Sequence, residues 1–195
     1  MAGDSQWAEL DAVGAAARAC VRCPLAATRT QVVFGTGRAD ANLVVVGEAP
    51  GQAEDRAGRP FVGSAGRQLR ALLADAGLNV AVAYLTNVVL CHPPGAGGRA
   101  DRTPVRAEID ACRAWLEAQL NVVRPRLILA VGVTAAQRLL DSSATLGSLR
   151  GRAHETAHGP VIATYHPSAF NRVPGRRTAF MEDVQRAIAT LQAER

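Results

Sequence analysis

Three polar residues stand where apolar runs of the chain end or falter: Glu48 after Leu43–Val46, Asn87 inside the run from Val82 to Leu90, and His166 after Val161–Thr164. In an open α/β sheet, ligands bind outside the carboxyl ends of the strands. A carboxylate, a carboxamide and an imidazole in those places therefore define one candidate site. Each also has a plain structural reading. Glu48 can cap the turn that follows it, Asn87 can bond the sheet edge, and His166 can be a satisfied loop histidine. Three coincidences are less economical than one site. The stretch 43–66, LVVVGEAPGQAEDRAGRPFVGSAG, adds Phe61, an aromatic ring delivered to the same loop region as Glu48. Alone, such a ring belongs to a core more often than to a ligand platform. His92, His154 and His158 show no spacing pattern and read as surface or loop residues.

Four cysteines form the second constellation. Cys20 and Cys23 have the C-x-x-C chelating spacing, and Cys91 and Cys112 complete a set of four. The second pair is widely split, so a zinc ribbon is a poor match. Spacing does not separate zinc from an iron–sulfur cluster, since both accept four thiolates. Unrelated buried cysteines are the bland alternative.

These residues need elements to position them. Residues 5–18 read as an amphipathic helix capped by Asp4 or Ser5, with Trp7, Leu10, Val13 and Ala17 on one face. Strands are expected at 42–46, 82–90, 127–131 and 161–164. Between them fall helices at 64–76, with Gly77 closing it, from Thr103-Pro104 onward, at about 135–140 and at 177–191. Cys112 lies on the inward face of its helix and Cys91 at a strand end, so the two can meet. Gly35-Thr36-Gly37 precedes its strand and lacks a third glycine, so it is no dinucleotide fingerprint. Residues 146–158 read as loop and edge strand. Strands alternating with helices give an α/β fold, a parallel sheet with helices on both faces.

The 195 residues suit one domain, 1–195, with a sizeable core. Twenty-two basic residues against 17 acidic ones leave a net charge of +5, which suits a polyanionic partner but also fits a general arginine bias. No apolar run is long enough for a bilayer, and the N-terminus lacks signal-peptide character, so a cytoplasmic protein is expected.

GEAPG (47–51), GRPFVG (58–63), TNVVLC (86–91) and TYHPSAF (164–170), with the four cysteines, are together similar to a family-4-type uracil-DNA glycosylase. The likeness runs from Cys20 to the last helix. It implies a three-layer α/β/α sandwich around a four-stranded parallel sheet and a [4Fe–4S] cluster on Cys20, Cys23, Cys91 and Cys112. It further implies hydrolysis of the bond between uracil and deoxyribose after the base leaves the stack. In that reading Gly47, Ala49, Phe61, Asn87 and Ser168 bind substrate. Phe61 stacks on uracil, Asn87 reads its O4 and N3–H edge, and Ser168 sits near a phosphate. His166 donates to O2 as the uracil anion departs, and Glu48 stabilises the sugar cation or positions water. Ala49 stands where other glycosylase families carry an aspartate base. Arg99, Arg102, Arg172, Arg176 and Arg177 are candidate phosphate contacts, and Phe170 a wedge. The partner implied is uracil-containing single- or double-stranded DNA, bound by a monomer associated with the nucleoid.

The basic loop Gly95–Arg102, HPSAF and Thr178-Ala179-Phe180 lean toward the UdgX branch, in which a loop histidine traps DNA covalently. Between Gly95 and Pro104 there is no histidine, and GEAPG differs from that branch's GEQPG. Turnover without an adduct is therefore expected.

Overall fold

The computed structural model describes residues 2–98, 101–170 and 173–193. Leu43–Gly47 (β2), Tyr84–Asn87 (β3), Leu127–Val131 (β4) and Val161–Thr164 (β6) are wholly buried strands. Runs this apolar suit strands covered on both faces, as in a parallel sheet. They pair in parallel in the order β3-β2-β4-β6. Two-residue antiparallel strands border them: Thr36–Gly37 (β1) beside β3 and Ala153–His154 (β5) beside β6. Among the described residues the fold is α/β with a mixed six-stranded sheet, not the four-stranded parallel one expected, because an antiparallel strand pairs on each edge. The edge strands are too short to show a period in sequence.

Alternation along the strands sends successive side chains to opposite layers. Val44, Val46, Ile128, Ala130, Val161 and Ala163 face helices Ala2–Arg18 (α1), Arg106–Val123 (α4), Val133–Leu139 (α5) and Leu146–Leu149 (α6). Leu43, Val45, Leu127, Leu129 and Ile162 face Ser64–Asp75 (α3) and Arg176–Ala193 (α7). A short helix, Gln52–Ala57 (α2), lies in the loop after β2.

Several boundaries differ from expectation. The run 82–90 contributes only four strand residues, because Val80–Val82 forms a 3-10 turn that exposes Val82. Beyond Asn87 the chain folds across the end of β2, where Val88 and Val89 donate to the carbonyls of Gly47 and Glu48 at 2.9 and 3.0 Å. Ser5 lies inside α1, and Trp7 is exposed while Leu10 and Ala17 are buried. Helix α3 is capped at Gly63, and Gly77 closes it with φ +92°. Helix α4 starts at Arg106, not at Thr103-Pro104, because the Glu108 carboxylate takes the Val105 N–H at 2.9 Å and caps the first turn.

Candidate active site

Register levels the strand ends. Gly47 is opposite Asn87, Val46 opposite Ala130, and Val131 opposite Thr164. The residues just beyond therefore meet along one edge, around a cleft of about 760 Å³ whose lining includes Glu48, Ala49, Phe61, Asn87, His166, Ser168 and Arg176. The three strand-end residues and the ring do converge.

Gly47 forms the closest point. A β-carbon there would collide with Asn87 Oδ1 and lie 2.8 Å from Phe61 Cζ, so carboxamide and ring approach each other only because the side chain is missing. Gly47→Ala is expected to cost about 1–3 kcal/mol by overpacking, measured by urea unfolding.

Asn87 is 3% exposed and makes no side-chain hydrogen bond among the described residues, which leaves its donors and acceptor for a ligand. Phe61 is held at φ +56°, a left-handed conformation that costs a bulky residue about 1–3 kcal/mol. The surroundings enforce it. Gly66 of α3 packs on the Phe61 backbone, where any side chain would clash. Arg70 Nε donates to Phe61 O at 3.2 Å, and the Gly63 N–H donates to Glu54 Oε1 at 2.6 Å.

His166 accepts the Ser168 N–H on Nδ1 at 3.3 Å, with Ser168 Oγ 2.8 Å away. A backbone N–H only donates, so the proton of the neutral ring sits on Nε2. Burial pushes the His166 pKa down, against the pull of the Glu54 carboxylate. The ring is thus a neutral Nε2–H donor at pH 7. Glu48 is half-buried, and its Oε2 accepts from the Thr134 hydroxyl.

Glu54, Asp101 and Thr134 were missed from sequence. A β-carbon on Gly51 would sit 3.0 Å from both Glu54 Oε2 and Asp101 Oδ2, so these two carboxylates close on the cleft beside it. His92, expected to be a surface or loop residue, lies in a loop but is buried and bonds Asp101 Oδ1 at 2.6 Å. A signal existed for Thr134, since it is polar and lies just past a strand end. Asp101 gave none, because a distant histidine holds it.

The polar rim differs more from expectation. Arg102 is taken by Glu108, with Nη1 and Nη2 at 2.8 and 2.6 Å from its oxygens, and this pairing holds the Glu108 carboxyl below its usual range. The Arg102 guanidinium therefore closes the base of its own loop. Phe170, the candidate wedge, is half-buried. Its ring packs edge-on against Phe180 with centroids 5.5 Å apart, because the turn after His166 directs it toward α7. Arg176 lies 5.1 Å over the Tyr165 ring at the cleft. Arg177 is exposed. Arg99 and Arg172 lie outside the described residues.

The cysteines gather at a second cavity, at the other side of the β3 end. Cys20, Cys23, Cys91 and Cys112 line it with Trp115 and Arg29. All four are free, and among the described residues they do not close on single-ion geometry. The Leu90 N–H donates to Cys112 Sγ at 3.3 Å, and Arg29 donates from Nη1 to Cys91 Sγ at 3.4 Å and from Nη2 to Cys20 O at 2.7 Å. Burial pushes the Cys112 thiol up to about 12 and raises Cys91, which Arg29 opposes. Buried sulfurs supplied with N–H donors are suited to thiolate ligands, whose charge a metal group would compensate.

The model of the uracil DNA glycosylase superfamily matches residues 34–191. The chain is 38% identical to the type-4 uracil-DNA glycosylase of Thermotoga maritima over 189 residues, 95% of this chain and 96% of that one. It is 38% identical to the type-4 enzyme of Pyrobaculum aerophilum, over 85% and 86% of the two chains. A type-5 uracil-DNA glycosylase of that organism is 33% identical over 78% of this chain and 74% of its own. Matched across most of its length by the family model and by relatives of similar size, this chain belongs to the uracil DNA glycosylase superfamily.

Proposed function

We propose that the protein is a monofunctional uracil-DNA glycosylase that hydrolyses the N-glycosidic bond of deoxyuridine flipped out of DNA. One observation carries the reading: Glu48, Phe61, Asn87 and His166 meet at one cleft, with a neutral imidazole donor. The base enters the cleft at an unstacking cost of about a few kcal/mol and stacks on Phe61. The Asn87 carboxamide reads the O4 and N3–H edge, where cytosine presents the reverse pattern. The N1–C1′ bond then breaks, with its electron pair leaving on the base. His166 Nε2–H faces O2, where that negative charge collects. Water bonds C1′, the Glu48 carboxylate accepts its proton, and an abasic site and free uracil result after the base is protonated. Ala49 borders the pocket, Gly47 lies opposite Asn87 beneath it, and Ser168 and Arg176 line the cleft and would meet the flanking phosphates.

Cys20, Cys23, Cys91 and Cys112 would hold a [4Fe–4S] cluster. The resemblance to type-4 enzymes implies that group, and the four cysteines line one cavity with Arg29 and Trp115, where four thiolates can be supplied together. The cluster would supply a cross-link between the end of α1, the segment after β3 and α4, and none of the steps above needs an electron. The reading takes the whole chain as one domain acting as a monomer on single- or double-stranded DNA, in the cytoplasm at the nucleoid. Among the described residues no helix is long and apolar enough to cross a membrane. The capture alternative is not favoured: the relatives carry the type-4 and type-5 names.

Incubation with uracil-containing DNA is expected to release free uracil in molar excess over protein, with no SDS-resistant complex on a gel of the same reaction. Stoichiometric retention of DNA through SDS would overturn the proposal.

A further inference from the structure

We propose that Thr134 is a positioning residue for Glu48: its hydroxyl fixes one carboxylate oxygen and so reserves the other for the reacting sugar and water. The inference rests on the glycosylase reading above. It starts from topology. Glu48 follows β2, and Thr134 is the second residue of α5, directly after β4. These strands are parallel neighbours, and they are also the pair at which strand order reverses, since β3 lies on one side of β2 and β4 on the other. A crevice opens at the carboxyl ends of such a pair. The bond from Thr134 Oγ1 to Glu48 Oε2 spans it.

The local chain is shaped for this contact. Gly132 takes φ +102°, turning the backbone sharply between β4 and α5. Thr134 is thereby buried with its side chain toward β2. At the second position of α5 no earlier helical turn offers its carbonyl to the hydroxyl, and the donor is used across the crevice, on a carboxylate three rotatable bonds from its own backbone. A carboxylate tethered at one oxygen keeps the lone pairs of the other. Glu48 Oε1 makes no hydrogen bond among the described residues, and the Glu48 side chain lines the cleft. Orientation of this kind matters because a misplacement of about 1 Å can cost about 10²-fold in rate.

Ala49 sharpens the case. No acidic side chain follows Glu48 to share the work, so the geometry of a single carboxylate must be set by something else. The described residues offer that carboxylate one side-chain donor, Thr134. Glu54 and Asp101 also border the cleft but are committed elsewhere, to the Gly63 N–H and to His92.

The test compares single-turnover cleavage of uracil-containing DNA by wild type, T134V, T134S, E48A and the T134V/E48A double variant, with DNA affinity and thermal midpoint measured for each. Valine keeps the shape and removes the hydroxyl. T134V is expected to lower the cleavage rate about ten- to hundredfold, the size of one hydrogen bond to a charged group. DNA affinity and thermal midpoint should stay near wild type, and T134S should recover most of the rate. Because Thr134 acts through Glu48, T134V should add nothing on the E48A background. The inference is overturned if T134V costs as much in E48A as in wild type, if T134S is as slow as T134V, or if only stability or affinity falls. A full rate in E48A would remove both the catalytic assignment of Glu48 and this inference. No release of uracil by wild type would instead refute the glycosylase reading itself.

Discussion

His166→Ala is expected to lower the single-turnover rate of uracil release by about 10²–10³-fold, the usual cost of deleting one donor to a developing anion. DNA affinity should change little, because in the proposed role a bond to O2 would strengthen only as charge arrives there. The neutral Nε2–H form is set by structure: the Ser168 N–H occupies Nδ1, and burial disfavours the imidazolium. His166→Gln, which keeps an N–H donor, should lose less than alanine. Equal losses in rate and in DNA affinity would show that the ring binds DNA instead of stabilising the departing base.

Asp183→Ala is expected to cost about 3–5 kcal/mol of stability, because it strands a partly buried guanidinium. Asp183 on α7 is 0% exposed, and its carboxylate accepts from Arg150 Nε and Nη2 at 2.9 and 3.1 Å and from the Gly151 N–H at 3.2 Å. Arg150 closes α6 onto α7 and also lies 5.7 Å over Tyr165, the residue before His166. Urea unfolding of D183A and D183N measures the cost. A loss below about 1 kcal/mol, the ceiling of a typical exposed pair, would mean that Glu182, already 3.2 Å from Arg150, takes over.

Glu48, Asn87 and His166 were legible because each interrupts or follows an apolar run, and a parallel sheet turns that linear sign into a common edge. The four central strands and the helices between them were legible for the same reason, since burial on both faces leaves uninterrupted hydrophobic segments. What escaped depends on contacts that no strand or helix period carries. Glu54 turns inward because Gly63 offers an N–H, and Asp101 because His92 is buried beside it. Val88–Leu90 are as apolar as a strand but are buried without continuing the ladder, so composition overextended β3. Phe170 looked available as a wedge because nothing in its own motif announces Phe180. Arg102 looked free because its partner, Glu108, lies a turn into the following helix.

The segment between Cys91 and α4 is drawn shut at its base: His92 grips Asp101, the Arg102 N–H reaches Pro93 O at 3.2 Å, and Arg102 locks onto Glu108. A loop sealed at the neck is mechanically insulated from what it joins. Lengthening its tip adds closure entropy only as the logarithm of length, while the neck keeps both the thiol cavity and the cleft in place. For protein engineering this makes the segment within the neck a natural port, where a reporter peptide or a further binding module can be spliced in beside the cleft.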